Sequence, residues 1–410
     1  MSGYSGGEMD RISIRLKKAL ALVREKGLTS GVQEALAFWA TDRFRASSVS
    51  IDDFSFVRAA HRPASLPIRQ SDYLTIHWVI PQFSLGSGGH HNIFSAIAGL
   101  EKKGHSNRVY LVGGGQADAR LSTDVARRYY APIQCSIEPF NGVMPDSDAL
   151  VATSWETAYR VRTVGNTSKK FYFVQDLEYQ FFPEGSQREF AAETYRWGFF
   201  GITGGEWIAE TLSREFGMCC LPFHFWYDAA LYRPVQKAAS HRKRVLFYAR
   251  PRTPRRGFEL GLLTLASVAE QVKDVEFVLA GMSASDIKLP FHADFPGVLP
   301  IEKLPELYSS VTAALVLSHT NVSLLPIELM ACACPVVSNS GPNVEWQLTH
   351  EICRLADPSP ASLADQLVLL LEDDRLRAEY VEAGLRFAQS ADKECEIEKI
   401  EKAFLEGLSR

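Results

Sequence analysis

The sequence lacks long apolar runs and has few cysteines. No stretch approaches the ~20 consecutive apolar residues that a membrane-spanning helix requires. The residues after Met1 are not a basic segment followed by an apolar one, so no secretory signal is predicted. The seven cysteines are scattered and odd in number, which argues against a disulfide framework and favours a reducing compartment. A cytoplasmic protein is therefore expected.

A large excess of charge of one sign is also missing. The formal net charge of the 410 residues is -4, which argues against a dedicated nucleic-acid-binding protein. Hydrophobic residues make up 46% of the chain and charged residues 22%, as in globular proteins. Since a domain usually has about 150 residues, the length suggests two to three domains.

Basic residues are concentrated in residues 1–70. This segment holds eleven Lys and Arg against seven Asp and Glu. Its apolar residues Ile12, Leu16, Leu20 and Val23 recur at helical spacing, which predicts an amphipathic helix within an N-terminal helical extension. Two interpretations remain open. The helix packs on its own protein, or it lies on an anionic membrane surface and makes a peripheral contact.

Alternating strands and helices follow in two series, of which the first occupies residues 71–238. Short runs rich in β-branched and aromatic residues predict buried strands. Alternation with helices is typical of an α/β fold, in which a parallel sheet is covered on both faces. The predicted strands are Leu74–Ile80, Val109–Val112, Ala149–Thr153, Lys170–Val174 and Phe199–Thr203.

The second series occupies residues 239–390 and begins at a polar linker, Gln236–Lys243. The charged residues 391–410 are predicted to form a C-terminal helix. Two such domains predict a cleft, and ligands bind α/β sheets at the carboxyl ends of their strands. The predicted strands are Val245–Ala249, Val275–Leu279, Ala313–Leu317 and Pro335–Ser338.

An arginine-rich loop directly follows the strand Val245–Ala249. Arg250, Arg252, Arg255 and Arg256 lie within seven residues, and two prolines stiffen the loop between them. Guanidinium groups match phosphate oxygens in bidentate geometry. At the end of a strand, this pattern predicts a phosphate site in preference to a solvated basic loop.

A second motif extends from Thr320 to Val337. It contains the start of a helix, and the free N–H groups of a helix N-terminus can hold a phosphate. Glu328 lies inside this otherwise apolar helical segment, and a mostly buried carboxylate needs partners. Hydroxyl groups of a bound sugar are suitable partners, so Glu328 is a candidate binding residue.

These two motifs resemble the nucleotide-sugar half of retaining GT-B glycosyltransferases of family 4, which is marked by Glu, seven residues and a second Glu. In the first half, Gly88-Gly89 and the helix end Gly104-His105 are similar to that family's first domain. The resemblance covers roughly residues 72–390. The segments around Asp176 and Arg250 are most similar to bacterial rhamnosyltransferases that extend rhamnan chains. The fold this implies has two Rossmann-like domains facing each other across a cleft. In such a fold, the C-terminal helix at residues 391–410 is expected to cross back onto the first domain.

The resemblance also implies a reaction and a set of site residues. A sugar, L-rhamnose from dTDP-L-rhamnose, would move to an oligosaccharide or lipid-linked glycan, without metal or cofactor. The implied catalytic residues are Asp176, Glu178 and Arg250. The implied binding residues are Gly88, Gly89, His90, Tyr248, Arg250, Arg255, Arg256, Leu299, Lys303, Ser323, Leu324 and Glu328. Among these, Arg250 and Arg256 would hold the diphosphate, and Glu328 the ribose.

Three residues depart from the family pattern. The first Glu of the pair is Thr320, the usual Lys is Arg256, and the usual Gly before Cys-Pro is Ala333. Because Thr320 removes a carboxylate beside the donor sugar, an alternative remains open. The chain would then be a non-catalytic nucleotide-sugar or polysaccharide-binding protein with a decayed site.

Other kinds of site fit the sequence less well. Gly86–His91 is not a full dinucleotide-binding G-x-G-x-x-G, because His91 occupies the sixth position. Asp146 and Asp148 precede a strand and favour a turn over a metal site. The adjacent His90 and His91 have no neighbouring ligand cluster in the sequence, so they do not indicate a metal centre.

Overall fold

The computed structural model describes residues 51–69, 71–83, 86–235, 243–282 and 287–410. The predicted basic helix near the N-terminus and residues 236–242 of the predicted linker lie outside these ranges. The chain divides into two units, residues 1–58 and residues 59–410. The described part of the first is the 3-10 helix Ile51–Arg58. The second unit contains both sheets.

The first sheet has seven parallel strands in the order β3-β2-β1-β4-β5-β6-β7. Its strands are β1 (Thr75–Ile80), β2 (Ser106–Leu111), β3 (Ile137–Pro139), β4 (Ser147–Ala152), β5 (Thr167–Val174), β6 (Phe200–Gly204) and β7 (Cys220–Phe223). Its helices are α1 (Gly88–Lys102), α2 (Gln116–Tyr129), α3 (Trp155–Arg162), α4 (Ser186–Glu193) and α5 (Glu206–Phe216), with 3-10 helices at Glu178–Phe181 and Thr194–Arg196.

The second sheet has six parallel strands in the order β10-β9-β8-β11-β12-β13. Its strands are β8 (Lys243–Tyr248), β9 (Val275–Ala280), β10 (Ala293–Gly297), β11 (Ala313–Val316), β12 (Val336–Asn339) and β13 (Arg354–Ala356). The helices are α6 (Phe258–Gln271), α7 (Leu304–Ser310), α8 (Leu325–Ala331), α9 (Pro342–Glu345), α10 (Pro360–Glu372), α11 (Asp374–Ser390) and α12 (Lys393–Ser409), with 3-10 helices at Pro254–Arg256 and Ile301–Lys303.

Each sheet lies between two layers of helices, and its strands are largely apolar. Every residue of β4 is buried, as are five of the six residues of β1. In β8, Leu246 belongs to the core on one face, whereas Val245 and Phe247 belong to the core on the other. Strands buried on both faces are typical of parallel sheets, so the α/β interpretation of the sequence is confirmed.

The last helix, α12, completes the core of the first sheet. Ile397, Ile400 and Phe404 are fully buried in the same core as β1 and α1. Close approach is possible because glycines lie beneath the helix. A Cβ on Gly99 of α1 would lie 2.8 Å from the Ile397 side chain. The chain therefore returns to its first domain after passing through the second.

A charged cluster fastens α12 to the end of β7. The imidazole Nε2 of His224 lies 2.8 Å from a Glu206 oxygen, and its Nδ1 lies 3.5 Å from a Glu396 oxygen. Glu396 also accepts the His224 backbone N–H at 2.6 Å. Hydrogen bonds with Glu206 and Glu396 raise the pKa of His224 to about 9, although burial opposes this.

The pH dependence of stability should reveal this cluster. The raised pKa means that His224 contributes stability below its free value of 6.5 and loses it as the pH rises through about 9. Because the side chain is 42% exposed, screening limits the contribution to about 1 kcal/mol. Urea unfolding at pH 6.5 and 9.5 should show a loss that is about 1 kcal/mol smaller in His224→Gln than in the wild type, since the raised pKa values of Glu178 and Glu328 lower the stability of both proteins over the same range. The exposed His292→Gln is the control, and equal losses in all three proteins would contradict the assignment.

Several short elements differ from the sequence-based expectations. Asp148 lies inside β4 and accepts the Thr75 N–H at 2.8 Å, so the predicted turn at this position is wrong. Its carboxylate joins two strands. The edge strands β3, β7, β10 and β13 have three to five residues and carry too weak a pattern to predict. Ala333 follows α8 with a φ of 61°, in the left-handed region that favours glycine.

Candidate functional site

The carboxyl ends of both sheets meet at the arginine-rich loop. This loop leaves β8, forms the 3-10 helix Pro254–Arg256 and reaches Gly257, whose φ is 59°. A Cβ on Gly257 would lie 3.2 Å from the His319 ring, so the loop runs close against the segment that follows β11. Glycine allows both the left-handed backbone and this close approach.

Arg256 is held by the segment that follows β11. Its Nη1 donates to the Ser318 hydroxyl at 2.6 Å and to the Asn321 carbonyl at 3.1 Å. Burial lowers the pKa of Arg256 to about 10, although nearby Asp176 opposes this. Because this value is well above 7, the guanidinium is a fixed positive charge in the cleft.

Arg250 and Arg255 complete the cluster. Arg250 Nη2 donates to the Tyr248 hydroxyl at 2.5 Å. The Arg255 guanidinium lies 3.8 Å from the centre of the Phe181 ring in the first domain. Burial lowers the pKa of Arg255, Asp176 opposes this, and Arg250 lowers it further by repulsion. A bound anion would relieve this repulsion, and diphosphate has the appropriate geometry and charge.

Asp176 faces the arginines from the end of β5. Its carboxylate accepts the Thr320 hydroxyl at 2.8 Å, the Asn321 N–H at 2.9 Å and the Leu177 N–H at 2.9 Å. Arg255 Nε lies 3.7 Å from the same carboxylate. Burial raises the pKa of Asp176, whereas the arginines and the hydrogen bonds to Thr320 and Asn321 oppose the shift. The side chain is 14% exposed, so a small part of it is open to the cleft.

Asn321 joins the two domains through its side-chain amide group. Its Nδ2 donates to the Gln175 carbonyl at 2.9 Å and to the Gly204 carbonyl at 2.8 Å. Its Oδ1 accepts the Trp346 indole N–H at 2.8 Å. The Trp346 ring also lies against Gly205, where a Cβ would come within 2.5 Å of the ring. Sequence reasoning did not identify Asn321, Trp346 or Gly205 as site residues.

The glycine loop of the first domain lies beside these contacts. Gln175 Nε2 donates to the Gly89 carbonyl at 2.9 Å. A Cβ on Gly88 would lie 3.7 Å from the Leu324 side chain, which belongs to the second domain. The nearby His90 stacks on Phe83 at 4.9 Å. Burial lowers the pKa of His90 to about 4, so its imidazole is neutral at pH 7.

Glu178 lies on the first-domain wall of the cleft. Its carboxylate accepts the Trp155 N–H and the Tyr172 hydroxyl, and part of the side chain stays open to solvent. Burial raises the pKa of Glu178 to about 8, and repulsion by the nearby Glu156 adds to this shift. Most of this group is therefore protonated at pH 7, which allows it to donate a hydrogen bond to an incoming hydroxyl.

Glu328 lies beside a group of tyrosines in the second domain. The Tyr232 and Tyr308 rings stack at 6.0 Å, and the partly buried Tyr248 packs against the same core. Burial raises the pKa of Glu328 to about 7, and a hydrogen bond with Tyr232 opposes the shift. Tyr232 and Tyr308 are 4% and 2% exposed, so within this group Glu328 and Tyr248 are the partly exposed residues. A carboxyl group at this position can hydrogen-bond to ribose hydroxyls.

The remaining predicted residues border this region. Lys303 ends the 3-10 helix Ile301–Lys303, its side chain is 66% exposed, and its Nζ lies 3.6 Å from Glu306. Leu299 is half-buried just before that helix. Ser323 and Leu324 directly precede α8, and the Ser323 hydroxyl accepts the Leu325 N–H at 3.4 Å. The roles assigned to these four residues stay predictions.

Comparison with solved structures identifies the architecture. A crystal structure of Anabaena Alr3699/HepE in complex with UDP and glucose has a TM-score of 0.62 and 15% identity, covering 82% of this chain and 100% of that chain. A Staphylococcus aureus TarM mutant structure has a TM-score of 0.63 and 10% identity, covering 81% and 99%. The chain has the GT-B fold. The predicted α/β fold class, with two Rossmann-like domains that face each other across a cleft, is thus confirmed.

Sequence comparisons find one family model and one curated relative that are similar to this chain. Residues 243–368 match the family model described as WsaF, C-terminal domain. The chain is 30% identical over 344 residues to the O-antigen biosynthesis protein RfbC of Myxococcus xanthus, covering 81% of this chain. It spans 27% of the length of that relative.

Neither a membrane-spanning helix nor a metal-ligand cluster is present among the described residues. None of the helices placed by the structure has the length and apolarity needed to cross a membrane. Over the same part of the chain, no three His, Cys, Asp or Glu side chains are arranged as ligands for a metal ion.

Proposed function

We propose that this chain is a retaining, metal-independent glycosyltransferase that moves L-rhamnose from dTDP-L-rhamnose onto a growing cell-surface polysaccharide. The observation that carries the proposal is the arginine cluster of Arg250, Arg255 and Arg256, which faces Asp176 across the cleft. The proposed acceptor is an oligosaccharide or lipid-linked glycan, and the proposed location is the cytoplasm, with peripheral membrane contact through the basic N-terminal segment.

The known relatives support the class of reaction. The Myxococcus xanthus relative is named for O-antigen biosynthesis, and the Anabaena protein was crystallised with UDP and glucose. The S. aureus protein was crystallised with fondaparinux, alpha-GlcNAc-glycerol and UDP. The choice of rhamnose depends on the resemblance of the segments around Asp176 and Arg250 to rhamnan-type enzymes.

The charges in the cleft fit the proposed transfer. As the bond from the anomeric carbon to the diphosphate oxygen breaks, negative charge grows on the leaving group and positive charge on the sugar. The arginines stabilise the first and the Asp176 carboxylate the second. The acceptor oxygen bonds to the anomeric carbon, and its proton passes to the departing phosphate. In this proposal, the protonated Glu178 orients that acceptor.

A panel of nucleotides tests the donor site. At a hundred times its dissociation constant, a ligand of the native state adds about 2.7 kcal/mol to stability. We expect dTDP to raise the melting temperature by several degrees, more than UDP or GDP, and dTMP to have less effect because it lacks the second phosphate. If none of the diphosphates shifts the melting temperature, the proposal is wrong.

Thr320 favours a second candidate, a binding protein whose site no longer catalyses transfer. A decayed site that binds only polysaccharide predicts no dTDP shift, whereas one that still binds the nucleotide sugar predicts the same shift as the transferase, so product analysis is needed to separate the latter two. Incubation of dTDP-L-rhamnose with rhamnose-containing acceptor oligosaccharides should release dTDP and lengthen the acceptor. Binding without transfer or donor hydrolysis would support the non-catalytic alternative.

A further inference from the structure

The segment after β11 carries no acidic side chain at the position where the resembled family has its first Glu. Thr320 occupies this position, and its hydroxyl is directed at a carboxylate from the other domain. The Thr320 Oγ1 to Asp176 Oδ2 distance is 2.8 Å. A carboxylate is therefore present beside residue 320 even though the residue itself has none.

The second domain contributes most of the hydrogen bonds that hold Asp176. One carboxylate oxygen accepts the Asn321 N–H, and the other accepts the Thr320 hydroxyl. Within its own domain, the side chain accepts only the adjacent Leu177 N–H among the bonds of the described residues. Asn321 in turn is fixed by carbonyls of the first domain. The position of the carboxylate thus depends on the two domains being closed.

We propose that Thr320 and Asn321 are positioning residues that hold the Asp176 carboxylate beside the arginine cluster, so that the first domain supplies the acidic group that position 320 lacks. The inference rests on the proposed transfer reaction. Domain closure brings the negative charge for the sugar and the positive charges for the diphosphate together. When the domains are apart, the Asp176 carboxylate is not held beside the arginines. Cleavage of the donor therefore requires the closed arrangement.

Variants at the two positions test the arrangement in the full chain. Thr320→Val removes the hydroxyl at nearly constant volume, and we expect kcat to fall about tenfold, the value of one hydrogen bond, with little change in donor KM. Thr320→Ser keeps the hydroxyl and should retain most of the activity. Asp176→Asn should lower kcat by about 10²-fold or more, because the charge facing the sugar is lost.

Exchanging the two groups gives the sharpest comparison. Thr320→Glu alone places two carboxylates together and should be at least as inactive as Asp176→Asn. The double variant, Asp176→Asn with Thr320→Glu, again has one carboxylate, which now comes from position 320 in the second domain. Its kcat should exceed that of Asp176→Asn by about tenfold or more.

Nucleotide binding and unfolding keep this inference separate from the proposed function. If variants that bind dTDP normally show an unchanged kcat for Thr320→Val, or no recovery in the double variant, the positioning role is wrong while the transferase stands. If the wild type cleaves no donor, the transferase proposal fails. Urea unfolding of Asp176→Asn, of Thr320→Val and of the double variant that combines them then tests whether the two side chains interact. Additive effects overturn the positioning role, and coupling of the two sites supports it.

Discussion

Arg256→Ala is expected to lower kcat/KM for the sugar donor by about 10²- to 10³-fold, the loss typical of removing one fixed group that stabilises developing charge. Arg256 is held by Ser318 and Asn321, so its guanidinium is oriented before the donor arrives. A preoriented charge does not need to reorganise as the diphosphate leaves, and this is why its removal should affect the rate strongly. Steady-state kinetics with dTDP-L-rhamnose give the measurement.

Two variants of the same loop serve as controls. Arg252 is exposed, and Arg252→Ala should stay within about twofold of the wild type because screened surface charges contribute little. Arg256→Lys keeps the charge but loses the forked geometry, so an intermediate rate is expected. An Arg256→Ala enzyme as active as Arg252→Ala would show that the diphosphate binds elsewhere.

Gly205→Ala is expected to destabilise the protein by about 3–5 kcal/mol, combining backbone strain with overpacking. The φ of Gly205 is 101°, and an added Cβ would lie 2.5 Å from the Trp346 ring. The methyl group would push away the indole that donates to Asn321. We therefore expect weaker contacts between the domains and a loss of transfer activity, measured by urea unfolding and donor turnover.

Gly217→Ala is the matched control for this variant. Gly217 also has a positive φ, 67°, but nothing lies within 4 Å of its added Cβ. Its substitution should cost only the left-handed strain, about 1–2 kcal/mol, and leave turnover unchanged. Equal effects of the two substitutions would mean that Trp346 moves aside without cost.

Local patterns in the sequence were enough to predict most of the fold. Continuous apolar runs such as Leu74–Ile80 mark strands that are buried on both faces, and their alternation with helices fixes a parallel arrangement. Edge strands of three residues, such as Ile137–Pro139 and Arg354–Ala356, bury too few side chains to show a pattern. Local propensity favours a turn at Asp148, whereas the structure places it in a strand, where its carboxylate accepts the Thr75 N–H.

The candidate site was predictable only in part. Arginines at the end of β8 have a recognisable chemical pattern, and the structure brings Arg255 and Arg256 near Asp176. Asn321 and Trp346 gave no signal, because their function is to contact another domain and a single sequence does not show which surfaces meet. The sequence shows Thr320 as a departure from the family pattern. It does not show that the partner of Thr320 is Asp176, 144 positions away.

The return of α12 to the first domain has a consequence for biosynthesis. Ile397, Ile400 and Phe404 fill the core beneath a sheet whose strands are made much earlier. During translation, the part of that core which α12 covers stays exposed while the whole second domain emerges from the ribosome. The nascent first half is thus open to aggregation or chaperone capture until α12 is made.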